Sequence, residues 1–136
     1  MIIAVDFDGT VVEDAYPRIG KEQLFAFETL KALHKDRHKL ILWTCRRGKS
    51  LEEAVEFCKK NGVEFYAVNS NYPGEVLDPD DSPKIVADLY IDDRNLGGFP
   101  GWSEVWRQLK PEEELRVPEQ RSKGLLGKIF GSFSGL

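Results

Sequence analysis

The sequence is poor in residues that build cross-links, thiolate metal sites and histidine-based catalysis. Its 136 residues include two cysteines and two histidines. Cys45 and Cys58 cannot form a disulfide framework and match no zinc-binding spacing, so we expect two reduced, buried thiols. His34 and His38 lie in a lysine-rich stretch typical of a solvated helix end. Acid–base chemistry in this chain would therefore fall to carboxylates.

Long apolar runs and an excess of positive charge are also lacking. No stretch approaches the length of a membrane span. The start, from Met1 to Val5, is too short for a signal peptide and has no basic residues. We therefore expect a cytoplasmic protein. The net charge of -4 gives no strong nucleic-acid signal, because an acidic surface is repelled by the phosphate backbone.

Short apolar runs alternate with amphipathic stretches along most of the chain. Strands are predicted at 2–6, 39–45, 63–68 and 88–92. Helices are predicted at 21–36, from a capping box at Ser50 and Glu53 to Gly62, and from a cap at Ser103 to Leu109. This order predicts an α/β fold, a three-layer Rossmann-like parallel sheet with helices on both faces. The length predicts one domain at 1–110, followed by a tail at 111–136.

Polar side chains are predicted to collect where the strands end. Asp6-Phe7-Asp8-Gly9-Thr10 follows the first strand, Thr44 ends the second, and Asp92-Asp93 ends the fourth, with Lys84 shortly before it. Ligands of parallel α/β sheets bind at this edge. Neighbouring buried carboxylates are costly without a cation, and an oxygen-rich site suits Mg²⁺.

These residues, taken in order, resemble the four motifs of the haloacid dehalogenase (HAD) superfamily of hydrolases. The first motif is similar to residues 6–10, the second to Thr44, the third to Lys84, and the fourth to Asp92-Asp93. The resemblance covers residues 1 to about 98, and its first and fourth motifs are the specific ones. It implies a HAD-like catalytic domain at 1–110.

The resemblance also implies a role for each matching residue. Asp6 would attack phosphorus and form an aspartyl-phosphate, while Asp8 would protonate the leaving oxygen and then activate water. Mg²⁺ would be held by Asp6, the backbone carbonyl of Asp8 and Asp92, with Asp93 beside it. The phosphoryl oxygens would be held by Thr44 and Lys84, with Lys49 as the alternative lysine, and backbone amides freed by Gly9 would form an anion-binding nest.

The resemblance favours a phosphatase without a cap domain. A second acid at Asp8 is similar to phosphatases of this superfamily, and the gaps at 11–20 and 69–83 are too short to hold a cap domain. An open site implies a large phosphorylated substrate or a lid from another subunit. The rival hypothesis is a non-catalytic phosphate-binding or regulatory protein on the same scaffold.

Several other features of the sequence allow more than one interpretation. Arg46 either recognises a second acidic group of the substrate or lies in a solvated loop. Gly48-Lys49-Ser50 lacks the earlier glycine that a P-loop requires. The apolar residues at helical spacing in 122–136 leave three interpretations: contact with a membrane or a second copy, docking on the domain, or disorder.

Overall fold

The computed structural model describes residues 1–110. The tail predicted at 111–136, including the apolar segment 122–136, lies outside the described residues. Strands and helices follow one another in the order β1 (Ile2–Val5), α1 (Ala26–Lys35), β2 (Lys39–Leu42), α2 (Gly48–Lys60), β3 (Ala67–Val68), β4 (Leu89–Ile91) and α3 (Trp102–Leu109). No helix within this part of the chain is both long and apolar enough to cross a bilayer.

The strands form a parallel sheet in the order β3-β2-β1-β4. Val5 at the end of β1 pairs with Leu42 of β2 on one side and Ile91 of β4 on the other. The next residue on each strand therefore emerges at the same edge of the sheet. The predicted α/β fold with a parallel sheet is confirmed.

The predicted layer of helices on both faces is wrong for residues 1–110. The buried apolar residues of α1, α2 and α3 all belong to one core cluster, together with alternate residues of β1 and β2 such as Ile3 and Leu42. The opposite face carries a smaller cluster around Ala4 and Ile41, covered by Ile85. The crossover from β3 to β4 contains three prolines and no helix, which explains the missing layer.

The helices begin elsewhere than the capping patterns predict. Helix α1 starts only at Ala26, because residues 21–23 bond to 11–13 and Phe25 adopts a left-handed φ of 64°. The N-cap of α2 is Arg47, so the predicted capping box is wrong. The Ser50 hydroxyl instead donates to the Arg47 carbonyl at 2.9 Å.

The last helix and the cysteines also differ in part from expectation. Helix α3 follows Gly101, so Ser103 lies inside the helix and is not its cap. Both cysteines are free, and burial raises the pKa of the Cys58 thiol to about 12. Cys45 is exposed, which contradicts the prediction that both thiols are buried.

Candidate functional site

The backbone ladder of the sheet continues one residue beyond β1. The Asp6 N–H donates to the Ile91 carbonyl at 3.0 Å, and the Trp43 N–H donates to the Val5 carbonyl at 2.8 Å. Asp6 is thereby fixed between the ends of β2 and β4. Because Asp92 follows Ile91 directly, the register brings the two acids side by side.

Three carboxylates meet at this edge. One oxygen each of Asp6, Asp92 and Asp93 lies within 4.8 Å of the others, and all three residues are half-buried. The Oδ1 atom of Asp93 is buried and has no hydrogen-bond partner among the described residues. A buried acceptor without a donor is costly, and a bound cation would satisfy it.

The cluster disfavours a charged Asp6. Burial is the largest cause, followed by the Asp92 charge and a hydrogen bond with Asp93, and together they raise the pKa of Asp6 from an ordinary 3.8 to about 7. A hydrogen bond from the Phe7 backbone opposes this shift in part. A nearby cation would favour the ionised form of Asp6 that a nucleophile or a metal ligand requires.

The turn after Asp6 packs directly against the acid cluster. The Gly9 N–H donates to the Val12 carbonyl at 2.7 Å, and the Thr10 N–H donates to the Phe7 carbonyl at 3.2 Å. Both amides are therefore used within the protein and are not free for an anion, and a nest formed by the other amides after Asp6 stays a prediction. A Cβ atom on Gly9 would lie 2.1 Å from Asp93 Oδ2, so glycine is needed here for close approach.

Hydroxyl groups border the cluster on two sides. The Thr10 hydroxyl donates to Asp6 Oδ2 at 3.2 Å. The Thr44 N–H donates to Asn69 Oδ1 at 2.8 Å, and Thr44 Oγ1 accepts the Arg46 N–H at 3.1 Å, which leaves the hydroxyl proton of Thr44 for another acceptor. Sequence reasoning missed Asn69, although it directly follows β3 at the same edge.

Arg46 has neither of the two environments predicted for it. Its side chain is 1% exposed, which contradicts the solvated loop. Its guanidinium forms two hydrogen bonds to Asp8, each at 2.7 Å, and its remaining donors reach backbone carbonyls. No N–H of the Arg46 guanidinium is left for a substrate, so the predicted substrate contact is also wrong in this structure.

Most of the predicted site residues line a pocket of about 520 Å³. The pocket is lined by acids, aromatic rings and two arginines: Asp6, Asp8, Asp14, Tyr16, Trp43, Thr44, Cys45, Arg46, Asp92, Asp93 and Arg94. This volume is ordinary for a small-molecule site. The structure thus brings Asp6, Asp8, Thr44, Asp92 and Asp93 together as expected.

Neither candidate lysine lines this pocket. Lys84 Nζ lies 5.5 Å from the centre of the Tyr90 ring, and Lys49 borders a different pocket beside Glu52 and Glu53. Arg94 lines the pocket instead, and the sequence signal for it was its position directly after Asp92-Asp93.

No family model matches the chain, and no curated protein sequence matches it. A solved structure is similar to it, that of a conserved protein coded by a locus from Bacteroides thetaiotaomicron. The two share 53% sequence identity over 84% of this chain and 93% of that one, with a TM-score of 0.77. The chain belongs to the family of this conserved protein. That kinship supports the α/β fold, and the function has to be argued from the site.

Replacing Gly9 tests how closely the turn must approach Asp93. Gly9→Ala should destabilise the protein by more than the roughly 1 kcal/mol of a strained φ, because its Cβ would displace the Asp93 carboxylate. Urea denaturation measures the loss. The matched control is Gly97→Ala, which has a similar φ of 89° and no atom within 4 Å of the added Cβ. Equal losses in the two variants would contradict the close-contact account.

The raised pKa of Asp6 predicts a pH-dependent stability in the presence of a chelator. Folded protein retains a proton on Asp6 that the unfolded chain releases, so its stability should fall as the pH rises from about 4 to 7. Asp6→Asn removes this loss and should be more stable than wild type by roughly 1–2 kcal/mol at pH 8, after allowance for solvent screening. At pH 4 the two proteins should differ much less. An Asp6→Asn effect that is the same at both pH values would contradict the shift.

Proposed function

We propose that the protein is a Mg²⁺-dependent phosphomonoester hydrolase of the HAD type that uses Asp6 as its nucleophile. The observation that carries this proposal is the cluster of Asp6, Asp92 and Asp93 within a pocket that Asp8 and Thr44 also line. Core packing does not require three half-buried carboxylates at one strand edge, and their mutual repulsion opposes folding. An arrangement that costs stability and faces a pocket is typical of a functional site.

The donor set at this edge fits Mg²⁺. Carboxylate oxygens are the ligands that this ion prefers, and Asp93 Oδ1 lacks a partner among the described residues. Asp6, Asp92 and the backbone carbonyl of Asp8 would hold the ion, with Asp93 beside it. When bound, Mg²⁺ supplies positive charge that offsets the carboxylates and the phosphoryl oxygens.

Asp6 is the nucleophile of the first step. Its carboxylate forms a bond to phosphorus while the bond from phosphorus to the leaving oxygen breaks, which produces an aspartyl-phosphate. The hydrogen bond from Thr10 orients Asp6 for this attack. The leaving oxygen takes a proton from Asp8.

Asp8 is the general base of the second step. It accepts a proton from a water molecule, whose oxygen attacks the same phosphorus, so phosphate leaves and Asp6 is restored. Both Asp8 oxygens accept N–H groups of Arg46 in this structure. When Asp8 is protonated, the oxygen that carries the proton keeps a lone pair for its Arg46 N–H while the O–H faces the leaving oxygen.

Thr44 and Arg94 are the groups proposed to hold the phosphoryl oxygens. Thr44 retains its hydroxyl proton, and Arg94 is one of the residues that line the pocket. Arg94 takes the role expected of Lys84 or Lys49, because neither lysine lines the pocket. No part of residues 1–110 forms a cap domain, so a large substituent on the phosphate could extend into solvent.

The second candidate is a phosphate-binding or regulatory protein without catalysis. The observation that favours it is the double hydrogen bond between Asp8 and Arg46, which engages the proposed general acid. Turnover measurements separate the two candidates.

Hydrolysis of para-nitrophenyl phosphate tests the proposed function. We expect turnover that requires Mg²⁺ and that falls by more than about 10³-fold in Asp6→Asn, because the nucleophile is lost. Asp80→Asn, in an exposed loop, is the matched control and should retain full activity. Metal-independent turnover, or activity that survives in Asp6→Asn, would contradict the mechanism; phosphate binding without any turnover would favour the second candidate.

A further inference from the structure

Arg46 uses every hydrogen-bond donor of its guanidinium inside the protein. Nε and Nη2 donate to the two oxygens of Asp8, each at 2.7 Å. Nη2 also donates to the Arg18 carbonyl at 2.7 Å, and Nη1 donates to the carbonyls of Pro17 and Ser50, both at 3.1 Å. Five contacts match the five N–H groups that an arginine carries.

Aromatic rings enclose the same guanidinium. Its central carbon lies 5.1 Å from the centre of the Phe7 ring and 5.2 Å from that of Tyr16. Rings at these distances exclude water and attract the positive charge. A cation this enclosed requires a counter-ion, and Asp8 is its salt-bridge partner among the described residues.

These contacts join three separate parts of the chain. Asp8 lies in the turn after β1, residues 17–18 belong to the loop that precedes α1, and Ser50 lies in the first turn of α2. A lysine could not make them, because its ammonium has three donors and no planar fork.

The loop before α1 borders the pocket but makes mostly local contacts of its own. Asp14 and Tyr16 line the pocket. Within the loop, the Tyr16 N–H donates to Asp14 Oδ1 at 3.2 Å, and the Arg18 N–H donates to the Ala15 carbonyl at 3.0 Å. Such local bonds fix the shape of the loop, whereas the Arg46 contacts fix its place against the domain.

We propose that Arg46 is a positioning residue that holds the Asp8 carboxylate and the loop at 14–18 in one arrangement. The guanidinium fixes both the orientation of the Asp8 carboxylate and the position of the loop at 14–18. A displacement of either one therefore displaces the other. The catalytic consequence rests on the proposed function, because Asp8 transfers the proton there. Arg46 then acts on turnover through Asp8, and it makes no contact with substrate.

A double-mutant cycle tests this dependence on Asp8. Arg46→Lys should lower kcat by about 10- to 100-fold, as expected for a misplaced catalytic group, and change KM by less than about threefold. In an Asp8→Asn background the same substitution should cause no further loss, because its effect passes through the missing carboxylate. The matched control, Arg47→Lys, changes the neighbouring exposed arginine and should leave kcat unchanged.

A second measurement does not need turnover. Hydrogen exchange, followed by NMR, reports how firmly the Tyr16 and Arg18 amides are held. Arg46→Lys and Asp8→Asn should each speed exchange at both amides by roughly tenfold or more, since the local bonds of the loop open more often once the Arg46 guanidinium is lost or displaced. Arg47→Lys should leave these rates unchanged. If Arg46→Lys does not fold, Asp8→Asn tests the same contact from its other partner.

Each outcome decides the proposal. Additive losses in the cycle, an effect mainly on KM, or unchanged exchange at Tyr16 and Arg18 in both variants would overturn it. A wild-type protein without turnover would contradict the proposed function instead, and the exchange rates alone would then decide whether Arg46 ties Asp8 to the loop.

Discussion

The pairing of β1 with β4 brings carboxylates together at one edge of the sheet, and their mutual repulsion is the constraint on which the rest of the site depends. Val5 pairs with Ile91, and the Asp6 N–H bonds to the Ile91 carbonyl, so the acids that follow the two strands lie side by side. Burial and the Asp92 charge raise the pKa of Asp6, and a buried oxygen of Asp93 lacks a partner in the described part of the chain. Protonation of Asp6 cannot relieve this repulsion and also leave the Asp6 carboxylate ionised. A cation can, and for that reason we interpret the cluster as a metal site.

Two clusters of charged side chains border the pocket, and they differ in whether the carboxylates have a basic partner. The acids at 6, 92 and 93 have no basic partner in a described salt bridge, whereas Asp8 is matched by Arg46 in a contact that is almost fully enclosed. The first cluster suits a ligand that brings positive charge, and the second suits a fixed geometry. In the proposed mechanism, Asp6 and Asp8 have different roles because different side chains surround them.

The sequence was sufficient to predict those site residues whose position depends only on the strands. The apolar runs at 2–6 and 88–92 are strands, and parallel strands bring Asp6 and Asp92 to one edge whatever the loops do. The environment of Arg46 was not predictable in this way, because its partners come from a loop that has no periodic pattern. The prediction that Lys84 lies at the pocket failed for a similar reason. The path of the irregular crossover between β3 and β4 decides whether its side chain reaches the pocket.

Helix starts show a related limit. A serine with a glutamate three residues on is typical of a helix start, yet Ser50 lies inside α2, which already begins at Gly48. Residues 21–23 fall within the helix predicted at 21–36 and nevertheless pair with residues 11–13. At residues 21–23 these tertiary contacts override a local preference that is worth only about 1 kcal/mol.

The central claim is that phosphate is transferred to Asp6. The most direct test is to quench the protein during turnover of a phosphomonoester with Mg²⁺ and to reduce it with borohydride, which converts an aspartyl-phosphate to homoserine. Peptide mass spectrometry then locates the modified residue within residues 1–18. The account predicts homoserine at position 6 and unmodified Asp8. Homoserine at another position, or turnover with no homoserine at position 6, would contradict it.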